Sequence, residues 1–298
     1  MTEADASILP FGDTIIFPNC PKNLPTPDEI RHHPDMLNHR TVRFLDRRLV
    51  IKHGFTIRDC QFYAHWLVWK FSSVPVPELY AWHRSGDHGF LYMELVDGVT
   101  LEDCWHDLSY AERRTVAQRL NHMLAKLRQE ILPPKDSYIG TSLESENAPI
   151  YVRLGALPRA PCGDFDLRHM GGVGPCSSTA AFHDAIPTLG LRPREYDIDF
   201  VARLRDALPD DAPITFTHGN LHFSNIILSP PGEGELTIRA IIDWETAGFY
   251  PSYWEWLSLM SCQGERMLQK DVPLIDEICK PFPAILKYWR EKLRYHGV

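Results

Sequence analysis

Thr217-His218-Gly219-Asn220-Leu221-His222-Phe223-Ser224-Asn225, followed at Ile241-Ile242-Asp243-Trp244-Glu245, is the stretch on which the fold of this chain turns. Apolar runs flank a polar loop and a short connection, so the pattern reads as strand, tight loop, strand, connection, strand. The loop carries His218, Asn220 and Asn225, and Asp243 closes the last apolar strand. His218 and His222 are four apart, but no glutamate follows His218 and both sit in a loop, which argues against a zinc pair. Ser224 lacks the strand-to-helix setting of a nucleophile, so an acyl-transfer triad is not expected.

The surrounding chain is ordinary in composition. Its 298 residues, 44% hydrophobic and 23% charged, suffice for one large domain or two intimate lobes. A formal net charge of −8 argues against nucleic acid or an anionic membrane as partner, since both need a basic surface. Seven cysteines, with no C-x-x-C pair, read as free thiols in a reducing compartment. No basic start followed by an apolar run opens the chain, and no apolar run is long enough to span a bilayer. A cytoplasmic protein, monomeric or weakly dimeric, is expected.

Working outward, Thr26-Pro27-Asp28-Glu29 predicts a capped helix start. Residues 41–52 read as a hairpin turning at Asp46-Arg47, although that pair suits a two-residue turn poorly. A helix is expected over 57–71, then strands over 78–83 and 89–95. Met93-Glu94-Leu95-Val96-Asp97-Gly98 is a natural connector, which divides the chain into lobes 1–96 and 97–298. Ser109-Tyr110-Ala111-Glu112 is a capping box, and the helix it starts carries Val116, Leu120, Met123, Leu124 and Leu127 at helical spacing. Residues 133–180 are rich in glycine and proline and read as one long loop, either a lid over a cleft or unstructured. Helices over 195–208, 254–260 and 282–293 and strands over 214–216, 226–228 and 236–242 complete the reading.

Leu49-Val50-Ile51-Lys52 places a lysine on a strand, the setting of a phosphate-binding lysine. With Asn225 and Asp243 as metal-binding oxygens, three parts of a phosphoryl-transfer site stand in order. The chain resembles the aminoglycoside phosphotransferase-like family, and within it the small-molecule kinase homologues of filamentous fungi. The resemblance rests on Leu24–Ile30, Val50–Gly54, Ser73–Pro77, Met93–Gly98, Thr100–Trp105, Tyr138–Gly140, Phe216–Gly219, Ile242–Glu245 and Gly248–Glu255. It implies an α+β, two-lobed protein-kinase-like fold with a β-rich N-lobe and a mostly helical C-lobe. It further implies a nucleotide held by Lys52, Gln61, Glu94 and Val96, and Mg²⁺ on Asn225 and Asp243. Trp244, Glu245, Tyr253, Trp254 and Glu255 are expected to line the acceptor pocket.

Two positions depart from that pattern. The family's catalytic Asp corresponds to Asn220, and an amide cannot accept a proton at neutral pH. The family's N-lobe glutamate, partner of the lysine, corresponds to Gln61, reached by counting forward from Lys52 and back from Pro75. Gln61 is expected to hydrogen-bond Lys52 without a charge. Asn220, His222 and Asp243 are the candidate catalytic residues. The preferred expectation is an enzyme of fungal secondary metabolism that cyclises or isomerises an apolar small molecule and requires no cofactor. In it Asn220 activates a carbonyl by hydrogen bonding. An ATP- and Mg²⁺-dependent small-molecule kinase, and a non-catalytic pseudokinase, are the alternatives.

Overall fold

The computed structural model describes residues 14–33, 41–44, 48–55, 57, 59–133, 141–142, 159–160, 162, 167, 170, 172–189, 198–230, 232, 234–263 and 271–295. The N-lobe is built on a five-stranded antiparallel sheet. Its strands are β1 (Thr14–Ile16), β2 (Thr41–Phe44), β3 (Leu49–Gly54), β4 (Leu79–Ser85) and β5 (His88–Glu94), in the order β1-β4-β5-β3-β2. Along β3 burial alternates, as a strand with two different faces requires. Leu49 and Ile51 pack with Ile30, Phe90 and Tyr92 on one face. Val50 and Lys52 therefore point to the other face, where the interlobe cleft lies. The pairing of β2 with β3 sets Thr41 opposite Lys52 and Phe44 opposite Leu49. The expected turn at Asp46-Arg47 lies outside the described residues.

The capping box read at Thr26 is present. Its hydroxyl accepts from the Glu29 N–H, and Glu29 accepts in return from the Thr26 N–H at 2.7 Å. It starts α1 (Pro27–Arg31). α2 (Asp59–Phe71) begins two residues later than expected. From Gln61 to Val68 each residue is buried, so this helix has no solvent face over that run. It is sandwiched between the sheet and the C-lobe, and its polar members Gln61 and His65, one turn apart, share the side facing the cleft.

The lobes join through residues 95–98. Gly98 has φ +154°, and a Cβ there would lie 2.3 Å from the Leu228 carbonyl oxygen and 2.7 Å from the Ile227 side chain. Only glycine lets the connector pass this close to the C-lobe backbone. β6 (Val99–Thr100) and α3 (Leu101–Cys104) follow. Then comes α4 (Tyr110–Glu130), started by the Ser109–Glu112 capping box and burying Val116, Ala117, Leu120, Leu124 and Leu127. Two short strands, β7 (Thr141–Ser142) and β8 (Arg159–Ala160), pair with each other. The expected single loop over 133–180 is interrupted further on, where Ser178 caps α5 (Thr179–Ala185). Most of that loop, including Tyr138–Gly140, Gly155 and Gly163, lies outside the described residues.

α6 (Ile198–Asp206) leads into β9 (Ile214–Thr217), β10 (Ile226–Leu228), β11 (Ile238–Ile241) and β12 (Gly248–Pro251). β9 pairs with β12, and β10 pairs with both β11 and β6. α7 (Trp254–Gln263), α8 (Val272–Ile278) and α9 (Pro283–Tyr295) close the chain. The sequence reading missed α8, a seven-residue helix with proline in its first turn. No helix among the described residues is long and apolar enough to cross a membrane.

Gly98→Ala is expected to destabilise the protein by at least about 2 kcal/mol, because a backbone carbonyl cannot retreat as a side chain can. A denaturant-unfolding midpoint unchanged from the native chain would contradict this account of the connector.

Candidate active site

Pairing of β10 with β11 sets Ile226 opposite Ile241. The Ile242 N–H continues the ladder, donating to the Asn225 carbonyl at 2.9 Å. Asn225, just before β10, and Asp243, just after β11, are thereby brought to the same end of one hairpin. The Asn225 side-chain amide donates to the Asn220 carbonyl at 2.9 Å, which leaves its carbonyl oxygen as the atom able to meet a cation. Asp243 has φ 67° and ψ 58°, a left-handed conformation that aspartate tolerates better than most residues. That turn sends its carboxylate into the cleft, where Oδ1 accepts from the Lys52 ammonium. Both partners are partly buried, so the pair is less screened than a surface contact.

His218 and Glu255 anchor the loop. The His218 side chain is buried. Its Nε2 lies 2.9 Å from the Ile242 carbonyl, and its Nδ1 accepts from the Asn220 N–H at 3.2 Å. One nitrogen must donate and the other accept, which fixes the neutral tautomer with the proton on Nε2. Burial pushes this imidazole below its ordinary pKa, while Glu255 and the Ile242 carbonyl pull the other way. The Glu255 carboxylate, fully buried, accepts from the His218 N–H at 2.7 Å and the Gly219 N–H at 3.2 Å. His222 caps the short turn Phe223–Asn225. Its Nδ1 accepts from Ser224 and lies 4.0 Å from Glu102.

A cleft of about 530 Å³ opens above this floor, within the usual range for small-molecule sites. Lys52, Gln61, Glu94, Val96, Asp243, Trp244 and Glu245 line it, all of them residues singled out in the sequence. Asn220, His222 and Asn225 stand on the adjoining loop, outside the lining. The sequence reading missed His65 and Asp103, which also face the cleft. His65 was in reach, because it follows Gln61 by one helical turn. Burial lowers its pKa to about 4, although its Nε2 lies 2.7 Å from the Pro77 carbonyl.

Three expectations need correction. Gln61 does not reach Lys52; its amide donates to Glu245 Oε2 at 3.0 Å, and Lys52 pairs with Asp243 instead. Tyr253 and Trp254 do not line this cleft. The Tyr253 hydroxyl meets His183 at 2.7 Å, and the Trp254 ring packs among Phe182, Tyr250 and Trp289. Both belong to the second core of the C-lobe, because the chain turns into α7 directly behind the loop. Glu255, also expected in the pocket, lies beneath the loop and holds its peptide groups.

Solved structures of aminoglycoside phosphotransferases are similar in fold. One, a ternary complex with ADP and hygromycin B, aligns over 84% of this chain and 83% of its own at 17% identity, with a TM-score of 0.49. A second, a ternary complex with streptomycin and ATP, covers 92% of this chain and 90% of its own at 13% identity and TM-score 0.48. A third, from Streptomyces rimosus with ADP and streptomycin, covers 86% and 87% at 16% identity and TM-score 0.46. No curated protein sequence matches the chain.

The model of the phosphotransferase enzyme family matches residues 29–269. This overturns the expectation of a site that requires no cofactor. Phosphoryl transfer, the reaction by which the family is described, needs a phosphoryl donor. With strands β2 to β5, the loop and the connector inside the matched span, the chain belongs to the phosphotransferase enzyme family.

Proposed function

We propose that this chain is an ATP- and Mg²⁺-dependent phosphotransferase acting on a hydroxyl group of a small molecule. The observation that carries the reading is the meeting of Lys52 from the N-lobe sheet with Asp243 from the C-lobe hairpin inside one cleft. The donor set fits the cofactor. Mg²⁺ takes one or two protein oxygens and completes its shell with phosphate and water, and Asp243 and Asn225 offer a carboxylate and an amide oxygen. When bound, the nucleotide and its cation supply the transferable phosphoryl group and the charge that polarises it.

The remaining work falls to the chain. Lys52 offers a compact ammonium for phosphate oxygens once its pairing with Asp243 opens. Glu94, Leu95 and Val96 line the cleft where the lobes join, and their peptide groups suit the nucleotide base. Asn220 orients the acceptor hydroxyl through its side-chain oxygen and cannot take the proton. Phosphoryl transfer depends mainly on positioning and charge, so the missing base slows the reaction without abolishing it. Loss of a general base typically lowers the rate about 10²–10⁴-fold. The acceptor is a small molecule, and a place in secondary metabolism is compatible with a slow, specialised reaction. The bond from the Gln61 amide to Glu245 gives that amide a structural role, which leaves Asn220 as the one amide that speaks for cyclisation or isomerisation.

Calorimetric titration with ADP and MgCl₂ is expected to show binding that needs both components, and Lys52→Ala should weaken it by at least about tenfold. No binding by the native chain at millimolar nucleotide would overturn the reading. Asn220→Asp restores a proton acceptor on an unchanged loop. It should raise the single-turnover rate of ATP consumption, with water or acceptor, by about 10²-fold. An equal or lower rate in that variant would remove Asn220 from the chemistry.

A further inference from the structure

Gln61 and Glu245 form a contact that the phosphotransferase reading does not use. Gln61 is buried on the cleft side of α2, and its amide nitrogen donates to Glu245 Oε2 at 3.0 Å. Glu245 belongs to the turn Trp244–Thr246 directly after Asp243, and this turn packs against α2. In the protein kinases a helix glutamate pairs with the strand lysine. Here the helix offers an amide, the lysine pairs with Asp243, and a carboxylate rises from the floor of the cleft to meet the amide. A glutamate at position 61 would set two carboxylates at hydrogen-bonding distance in a partly buried place, with no donor between them. The amide and the acid are therefore matched in polarity as well as in shape.

We propose that Gln61 is a positioning residue for Glu245. By holding that carboxylate, it moves the second acid of the site from α2 to the floor, two residues from Asp243. The charged side chains of the cleft then read Lys52 against Asp243 and Glu245, with Glu94 and Asp103 at its edges. Lys52, Asp243 and Glu245 sum to one negative charge, a balance that favours entry of a divalent cation over a further anion alone. The latch also ties α2 of the N-lobe to the strand-end turn of the C-lobe, so cleft width and Glu245 placement are set together. The part of this inference that concerns the cation rests on the phosphotransferase reading; the pairing of the two side chains does not.

A swap cycle on the full chain tests it, read by thermal unfolding without ligand and by calorimetric binding of ADP with MgCl₂. Gln61→Glu should lower Tm, because it removes the donor and sets one carboxylate against another. Gln61→Glu combined with Glu245→Gln recreates the bond with donor and acceptor exchanged. It should recover Tm and bring Mg-ADP affinity back to within about threefold, where each single variant loses about tenfold. If Gln61→Glu does not fold, Gln61→Met, which keeps the bulk and cannot donate, should weaken Mg-ADP binding by about tenfold. Additive losses in the double variant, or full affinity in Gln61→Met, would overturn the proposal. Coupled Tm values without nucleotide binding in any variant would leave the pairing standing and remove the phosphotransferase reading.

Discussion

A carboxylate with no access to water has to be satisfied by the protein, and Glu255 is satisfied by the peptide groups of the loop it supports. Leaving such a group unpaired costs several kcal/mol, so the positions of the His218 and Gly219 N–H groups are fixed by it. The opposite sides of the same peptides are fixed as well. The His218 carbonyl accepts from the Thr246 hydroxyl at 2.9 Å, and the Gly219 carbonyl accepts from the Ser258 hydroxyl at 2.8 Å. The imidazole of His218 ties the loop to the end of β11. α7, the turn after Asp243 and the loop therefore form one hydrogen-bonded unit, and the floor of the cleft is rigid before any ligand arrives.

That rigidity bears on Asn220. Its backbone is held by His218, His222 and Asn225, none of which depends on what its side chain is. An aspartate could stand there with the same hydrogen bonds. The geometry of the loop therefore does not depend on the amide. Gln61 differs, because its side chain itself makes the contact, donating to Glu245. The two amides look alike in the sequence, but one is held by its backbone and the other by its side chain.

Much of the fold could be read directly. The capping boxes at Thr26 and Ser109 are local hydrogen-bond patterns, and local patterns survive translation into structure. Leu49–Lys52 read as a strand arm, and the burial along β3 shows which side faces the cleft. Asn225 and Asp243 flank two expected strands, and the pairing of those strands brings the two residues together. What escaped the sequence was tertiary. Tyr253 and Trp254 have rings that suit a pocket wall and a core equally well, and only the direction of α7 decides between them. The bond from Gln61 to Glu245 joins residues 184 apart, which periodicity and propensity do not address. α8 is too short to show a period, and its proline reads as a break as readily as a first turn.

The pairing of Lys52 with Asp243 adds a last constraint on how such a site can work. Two oppositely charged groups in contact across a cleft lower each other's availability, so any anionic ligand must compete with Asp243 for the ammonium. A dication that takes up the Asp243 carboxylate would release Lys52 at the same moment, which makes cation and phosphate binding mutually reinforcing. On the proposed reading, a cleft closed by its own charges would favour the complex of nucleotide and metal over either component, because only the complex offers both groups of the pair a new partner.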